Sequence, residues 1–414
     1  MLFNRMKYLT SVVVFFTILG ASPEAAAQKL PDLAPTPPMG WSSWNKFGED
    51  INENIIKEIA DALVATGLRD AGYIYVNLDD CWHAPGRDAD GSPMCHPEKF
   101  PSGIKALADY MHERGLKLGI YSDAGYKTCA NMFGSAGHEY QDARQYAQWG
   151  VDYLKYDWCN TPDFNTKQAY TLMRDALLEA GRPILFSICE WGFTKPWEWG
   201  KDVGHMWRTC GDIGASFNDP SYFDGKFRGH TVIEQIRYNE PWRKYHGPGH
   251  WNDPDMLEVG NNLTVNQGRA HFTIWAMMAA PLILGNDIRS IDEETLKIVS
   301  NREVIAVDQD SLGVQGFKIP VGKDVETWWK PLADGGWAVA VFNISKKPVD
   351  YELNWQLFNM TDDEVSGRST DFDKVTYSVR DLWNGGKPVK TDKPLRVKVG
   401  GEDAAMFRLT PIKK

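Results

Sequence analysis

Val151-Asp152-Tyr153-Leu154-Lys155-Tyr156-Asp157-Trp158-Cys159 is a short run of mostly apolar and β-favouring residues that stops at a carboxylate. A strand that delivers Asp157 to its C-terminal end is how a parallel barrel places a reactive group at its mouth. Taken alone, the same Asp reads more readily as the N-cap of the next helix. Repetition decides between the two. Residues 73–78 run into Asp79-Asp80-Cys81-Trp82, 116–121 into Ser122-Asp123, and 184–188 into Cys189-Glu190-Trp191. Further on, 205–208 lead to Cys210-Gly211-Asp212-Ile213, 249–252 to Asp253-Pro254-Asp255-Met256, and 282–284 to Gly285-Asn286-Asp287.

Between these runs lie helical patterns. Residues 51–66 carry Ile55, Ile56, Ile59, Ala60 and Leu63 at helical spacing, and 103–114, 139–149, 166–180, 231–245, 266–279 and 293–300 read the same way. With Pro37-Pro38-Met39-Gly40-Trp41-Ser42-Ser43-Trp44-Asn45 opening the first unit, there are eight strand-like runs alternating with helices. That order implies a parallel sheet with right-handed crossovers, and eight units in about 280 residues is the size of a (β/α)8 TIM barrel. We expect the barrel to occupy residues 28–315.

Past Gly316 the texture changes to short alternating runs at 326–329, 337–343, 349–353, 375–382, 395–399 and 404–409. Turn signals such as Asp334-Gly335-Gly336 and Asn384-Gly385-Gly386 separate them. Residues 316–414 are therefore expected to form an antiparallel β-sandwich with no catalytic constellation of its own. Residues 1–27 have the layout of a secretory signal: Arg5 and Lys7, an apolar run over 8–19 too short to span a bilayer, then Ala25-Ala26-Ala27. This predicts export to the periplasm or the extracellular medium.

With 24% charged and 43% hydrophobic residues, neither a disordered chain nor a polytopic membrane protein fits, and the net charge of −10 argues against nucleic acid or an anionic membrane as partner. The 17 Trp exceed what a core needs, since each buried indole demands an N–H acceptor; we expect more than half in the core or a domain interface and the rest free to stack on sugar rings.

An exported, Trp-rich barrel whose mouth is lined with carboxylates suits glycoside hydrolysis, which uses one carboxylate as nucleophile or base and another, held protonated, as acid. Asp157 and Asp212, at the ends of the fourth and sixth strands, are the candidate pair. Asp79, Asp80, Lys155, Arg208 and Asp255 are suited to binding sugar hydroxyls, and Trp44 and Trp191 to acting as apolar platforms. Structural salt bridges would account for any one of these charged residues but poorly for all of them at one end of a barrel. Two readings compete. Asp79-Asp80, or Asp253 with Asp255, could hold a divalent ion, although no His stands in a ligand motif. The chain could also be a non-catalytic sugar-binding module, though such a module rarely needs a full barrel with this many carboxylates.

The motifs Thr36-Pro37-Pro38-Met39-Gly40-Trp41-Ser42-Ser43-Trp44-Asn45, Asp79-Asp80-Cys81-Trp82, Gly115-Leu116-Lys117-Leu118-Gly119-Ile120-Tyr121, Lys155-Tyr156-Asp157, Cys189-Glu190-Trp191-Gly192, Gly211-Asp212-Ile213 and Trp251-Asn252-Asp253-Pro254-Asp255-Met256 resemble, in order, those of glycoside hydrolase family 27. The resemblance implies a retaining exo-α-galactosidase that needs no cofactor and no metal, with Asp157 as nucleophile and Asp212 as general acid/base. It places Trp44, Asp79, Asp80, Tyr121, Lys155, Cys189, Glu190, Trp191, Arg208 and Asp255 around the sugar. It also implies a Cys129–Cys159 disulfide beside the nucleophile. Glu190, where relatives acting on N-acetylgalactosamine carry small residues, points to plain galactose; Asp79 points away from β-L-arabinopyranosidase activity. One departure stands out: the family's usual partner for Cys81 is replaced by Phe47-Gly48-Glu49. Cys81 is then free or paired elsewhere, with Cys95 a candidate, and the states of Cys189 and Cys210 stay open.

Overall fold

The computed structural model describes residues 29–30, 32–223 and 228–412; the expected leader, 1–27, lies outside the described residues. Eight parallel strands form one curled sheet: β1 (Met39–Ser42), β2 (Tyr75–Asn77), β3 (Lys117–Asp123), β4 (Tyr153–Asp157), β5 (Leu185–Ile188), β6 (Met206–Arg208), β7 (Trp251–Asp253) and β8 (Leu282–Leu284). The sheet runs β7-β6-β5-β4-β3-β2-β1-β8. The ring closes just downstream of β7, where the Leu257 N–H donates to Ile283 and the Gly285 N–H donates back to Leu257. The strands are almost wholly buried, as both-face-covered parallel strands must be.

The helices follow their own chemistry. Asn52, Asn165, Thr231, Thr264 and Asp292 each cap a helix by accepting a backbone N–H with the side chain. The helix expected over 231–245 stops earlier: Val232–Asn239 is α-helical and Glu240–Tyr245 is a 3-10 turn, because Pro241 has no N–H to continue the ladder. A further helix, Arg302–Asp308, capped by Asn301, was not evident from periodicity over so short a span.

The end of the barrel away from the mouth is filled by the first residues of its strands. Tyr75, Tyr153, Leu185, Met206 and Trp251 pack together with Ala34 in a separate buried cluster. The segment leading into β1 lies across this layer. Lys29 Nζ donates to the Gly204 and Gly249 carbonyls, His205 Nε2 bonds to the Leu30 carbonyl, and Trp251 Nε1 donates to Ala34.

Beyond the barrel, a six-stranded antiparallel sheet is ordered Gly385–Lys390, Tyr377–Asp381, Asp403–Pro411, Trp337–Asn343, Val325–Pro331, Phe317–Pro320, with two smaller two-stranded sheets. Its middle strands alternate strictly. Ala338, Ala340 and Phe342 join the barrel core, while Trp337, Val339 and Val341 join the sandwich core. Gly385-Gly386, expected as a turn, instead begins a strand, and its positive φ angles of 68° and 83° sit beside an irregularity in the pairing with Tyr377–Asp381. Ten of the 17 Trp are buried: Trp41, Trp82, Trp197, Trp207, Trp251, Trp275, Trp328, Trp329, Trp337 and Trp355. The core role expected for most of them therefore holds.

Candidate active site

β4 ends at Asp157, and its neighbours in the sheet decide what that carboxylate meets. Asp123, the last residue of β3, lies opposite Asp157 in the register, and Tyr121, two residues earlier on the same strand, opposite Lys155. The Tyr121 hydroxyl donates to Asp157 Oδ2 at 3.1 Å, and the Trp158 N–H donates to Oδ1 at 3.0 Å. Lys155 Nζ reaches Asp79 Oδ2 at 2.8 Å. Burial pushes the Asp157 carboxyl up to about 7; the Lys155 charge opposes that shift and the Asp212 charge adds to it. Lys155, ringed by acids, is held well above its ordinary value despite its burial.

Across the mouth, β6 ends at Arg208. Its guanidinium bridges two carboxylates, with Nη2 at 3.0 Å from Asp212 Oδ1 and 3.0 Å from Asp255 Oδ2. Asp255 has φ of 80°, a conformation costly for a side-chain-bearing residue. The loop holds it there. Asp255 accepts from the Ile213 and Met256 N–H groups, and its own carbonyl accepts from Trp275 Nε1. Because Ile213 adjoins Asp212, this lattice also fixes the backbone under Asp212. The Asp212 side chain is 38% exposed, whereas Asp157 is only 5% exposed.

Asp80 secures the opposite rim. Its two oxygens accept from the Cys81 and Ala130 N–H groups, so the loop after β2 is tied to the loop after β3. Burial raises its carboxyl above the ordinary value. Cys129 and Cys159 are joined as a disulfide, linking the loops after β3 and β4 next to Asp157. Cys81, Cys95, Cys189 and Cys210 are free thiols, so the suggested Cys81–Cys95 pairing is not made. His83 and Cys95 form a backbone bridge there instead.

The narrow cavity among these groups is lined by Trp44, Asp79, Asp80, Tyr121, Lys155, Asp157, Arg208, Asp212 and Asp255, with Asn45, Cys129 and Met256. Three expected residues are not in that lining. Cys189 lies deeper in the barrel interior, beside Lys155, Tyr153 and Arg208. Glu190 is fully buried and turned into its own loop, where Oε2 accepts from the Thr194 N–H at 2.7 Å and from its hydroxyl at 3.2 Å. Trp191 follows it with φ of 57°, its ring 5.5 Å from that of Phe193. Oε2 of Glu190 thus braces its own loop, while its Oε1 is buried with no protein hydrogen-bond partner.

Asp123 is the residue that sequence reasoning passed over. It is fully buried, its Oδ1 accepts from Gly125 N–H at 2.6 Å and its Oδ2 from Cys159 N–H at 2.8 Å, and burial with the nearby Asp157 charge pushes it up to about 8. Gly125 has no room for a side chain, since a Cβ there would lie 2.1 Å from the Cys159 carbonyl oxygen. The signal was present in Ser122-Asp123 at a strand end. Asp123, Cys129, Asp157 and Cys159 bring potential metal-ligand atoms within 4.8 Å, but the two sulfurs are bonded to each other. Asp79, Asp80 and Asp255 already face ammonium, guanidinium or N–H donors, a setting suited to sugar hydroxyls and hostile to a cation.

Comparison with known proteins fits this geometry. Residues 36–310 match the family model described as alpha galactosidase A, and residues 322–409 match the alpha galactosidase C-terminal beta sandwich domain. The chain is 50% identical over 390 residues to alpha-galactosidase A of Cellvibrio japonicus, covering 94% of this chain and 96% of the relative. The crystal structure of alpha-galactosidase I from Mortierella vinacea superposes with a TM-score of 0.85 at 35% identity, covering 92% of this chain and 98% of the other. The Saccharomyces cerevisiae enzyme solved with raffinose gives 0.83 at 30% identity, covering 92% and 100%.

Proposed function

The chain belongs to the α-galactosidase family of glycoside hydrolases, enzymes that release terminal α-linked galactose, and we propose that it does so by double displacement through Asp157 and Asp212. The observation that carries this reading is the pairing of a deeply buried carboxylate with a more open one across a single cavity. In the first step ionised Asp157 attacks the anomeric carbon and forms a galactosyl ester. The bond to the leaving oxygen breaks as Asp212, protonated, supplies that oxygen with its proton. In the second step Asp212, now a carboxylate, takes a proton from water, whose oxygen displaces Asp157 and restores both groups. The sugar leaves with its α configuration retained.

Each neighbour has a defined part. Tyr121 O–H and Trp158 N–H orient the attacking carboxylate, Lys155 favours its charged form, and Arg208 holds Asp212 in reach of the leaving oxygen. Asp79 and Asp80 supply acceptors for the galactose hydroxyls, and Trp44 supplies an apolar edge. Selectivity for galactose over N-acetylgalactosamine is assigned to the segment that begins at Glu190, whose buried Oε1 has no protein partner and whose Oε2 braces the loop. We also read residues 1–27 as an export signal, in keeping with a disulfide-bearing enzyme of an oxidising compartment. N-terminal sequencing of the exported form should begin near Gln28.

The test is hydrolysis of the p-nitrophenyl glycosides of α-galactose, α-N-acetylgalactosamine and β-L-arabinopyranose, with and without chelator, followed by NMR of the first sugar released. Strong preference for α-galactoside, indifferent to chelator, with α-galactose as the first product is expected. Initial release of β-galactose would overturn the double displacement, and chelator sensitivity would overturn the metal-free mechanism.

A further inference from the structure

Asp212 stands on the loop after β6, and that loop is not held by the barrel strands alone. The helix Val232–Asn239 presents Gln235 and Asn239, four residues apart and so on one face, to the start of the loop. Gln235 Nε2 donates to the Gly211 carbonyl at 2.7 Å, and its Oε1 accepts from Cys210 Sγ at 2.7 Å. Asn239 Oδ1 accepts from the Thr209 hydroxyl at 2.9 Å. The Asp212 carbonyl itself accepts from the His230 N–H, just before the helix. Arg208 thus holds the Asp212 carboxylate, while the helix face holds the three residues between them.

The far end of the same face leads out of the barrel. Asn239 Nδ2 donates to Gln315 Oε1 at 3.3 Å, and Gln315 Nε2 donates to the Glu240 carbonyl at 3.1 Å. Gln315 lies where the barrel gives way to the sandwich, and its backbone carbonyl accepts from Arg243 Nε at 3.2 Å and Nη2 at 3.0 Å. Arg243 in turn grips the sandwich, with Nη1 2.8 Å and Nη2 3.1 Å from the two oxygens of Asp362. Gln235, Asn239, Gln315, Arg243 and Asp362 are all buried. A buried polar chain is stable only with every partner in place, so it fixes the relative position of what it joins. Each chemical step described above is carried by barrel residues, which leaves the sandwich without a part in the reaction.

We propose that the sandwich is a positioning element of that reaction: through Asp362, Arg243, Gln315 and Asn239 it sets the loop that aims Asp212 at the leaving oxygen. The proposal rests on the acid/base role given to Asp212 above and adds what holds that residue in register. Asp362, Arg243, Gln315 and Asn239 are outside the lining of the narrow cavity. Loosening the chain should therefore spare attack by Asp157 and weaken proton transfer from Asp212, because small misplacements of a reacting group cost rate steeply.

The test is kcat/KM on aryl α-galactosides with leaving groups from p-nitrophenol to phenol. It compares the wild type with Asp212→Ala, Gln315→Met, Asp362→Asn and Arg269→Met, each checked for folding by its urea midpoint. p-Nitrophenolate departs with little protonation and phenolate needs it, so impaired proton donation steepens the dependence on the leaving group. Arg269→Met is the control, since its ion pair with Asp403 also joins barrel to sandwich but lies off this chain. We expect Asp212→Ala to lose about 10²-fold more on the phenyl than on the p-nitrophenyl galactoside. Gln315→Met and Asp362→Asn should lose about three- to tenfold more, and Arg269→Met should keep the wild-type dependence. Should Gln315→Met fail to fold, Asp362→Asn, which keeps its side-chain shape, decides the matter. Losses equal across leaving groups, no loss at all, or a dependence steepened in Arg269→Met as well would overturn the positioning role and leave the function standing. An unchanged dependence in Asp212→Ala would overturn its part as proton donor, and the proposal with it.

Discussion

Two lysines set against aspartates, one half-buried at the mouth and one fully buried at the seam, behave in opposite ways. Lys155 at the mouth pairs with Asp79 at 2.8 Å and feels Asp157 and Asp212 as well, so its charge is strongly favoured. Lys330, at the seam between barrel and sandwich, is fully buried, donates to the Ala276 carbonyl at 3.1 Å and feels Asp308 and Asp310 less strongly than its own desolvation. Burial pushes Lys330 down to about 8 and Asp308 up to about 8. The difference lies in how many opposing charges surround each lysine. A surplus of carboxylates keeps Lys155 charged while raising Asp157 among them, whereas at the seam Lys330 and Asp308 are both pushed towards their neutral forms.

Substitutions can break this comparison, beginning with the proposed nucleophile. Asp157→Asn should lower kcat by at least about 10⁴-fold while far-UV CD and thermal unfolding stay close to wild type. A variant retaining a tenth of the activity would remove Asp157 from the mechanism. Lys155→Met should cost about 10²-fold or more in kcat/KM, because two carboxylates then face each other without their cation. Lys330→Met should leave kcat/KM within about twofold and instead lower the urea midpoint, by about 1–3 kcal/mol of stability, since Asp308 can accept a proton once its partner is gone. Equal losses of activity in the two lysine variants would erase the distinction between mouth and seam.

The pH dependence sharpens it further. As the proposed nucleophile Asp157 has to be ionised, and its carboxyl is pushed up to about 7, so kcat/KM of the free enzyme should fall towards tenfold per unit as pH drops below about 7. In Lys155→Met that limb should move to higher pH, because the charge favouring ionised Asp157 is lost. At the seam the sign concerns stability. Asp308 is raised from 3.8 to about 8, so the folded state binds its proton more tightly, and this contribution is full below pH 3.8 and is lost as pH rises towards 8. Asp308→Asn should therefore differ from wild type in the change of unfolding free energy between pH 5 and 8, read by urea titration at both pH values.

Much of this was legible because a parallel barrel writes its mouth into the sequence. Each strand is a short apolar run and each strand end is where polar chemistry is tolerated, so Asp79, Asp157, Arg208, Asp212 and Asp255 announced themselves by position. What stayed hidden depended on side-chain direction. Glu190 also follows a strand, yet one of its two oxygens is taken up by Thr194 in its own loop, which no sequence pattern announces. Asp123 follows a strand as well, and only the register with β4 reveals that it faces Asp157. Thiol pairing was readable at Cys129 and Cys159 through family resemblance, whereas Cys81 needed coordinates, because a missing partner does not say what replaces it. The short Arg302–Asp308 helix and the Gly385-Gly386 strand start escaped because one rests on a cap and the other on positive φ angles, neither of which produces a hydrophobic period.

The layer of strand-first residues under the barrel, sealed by Ala34, Lys29 and their neighbours, has a kinetic meaning. Among the described residues it closes the well at that end and leaves the mouth as the way in. The leaving group must clear the mouth before the water of the second step can arrive, and galactose, released last, must depart by the path the next substrate needs. Ordered product release and competitive inhibition by free galactose are thus consequences of how the opposite end of the barrel is closed.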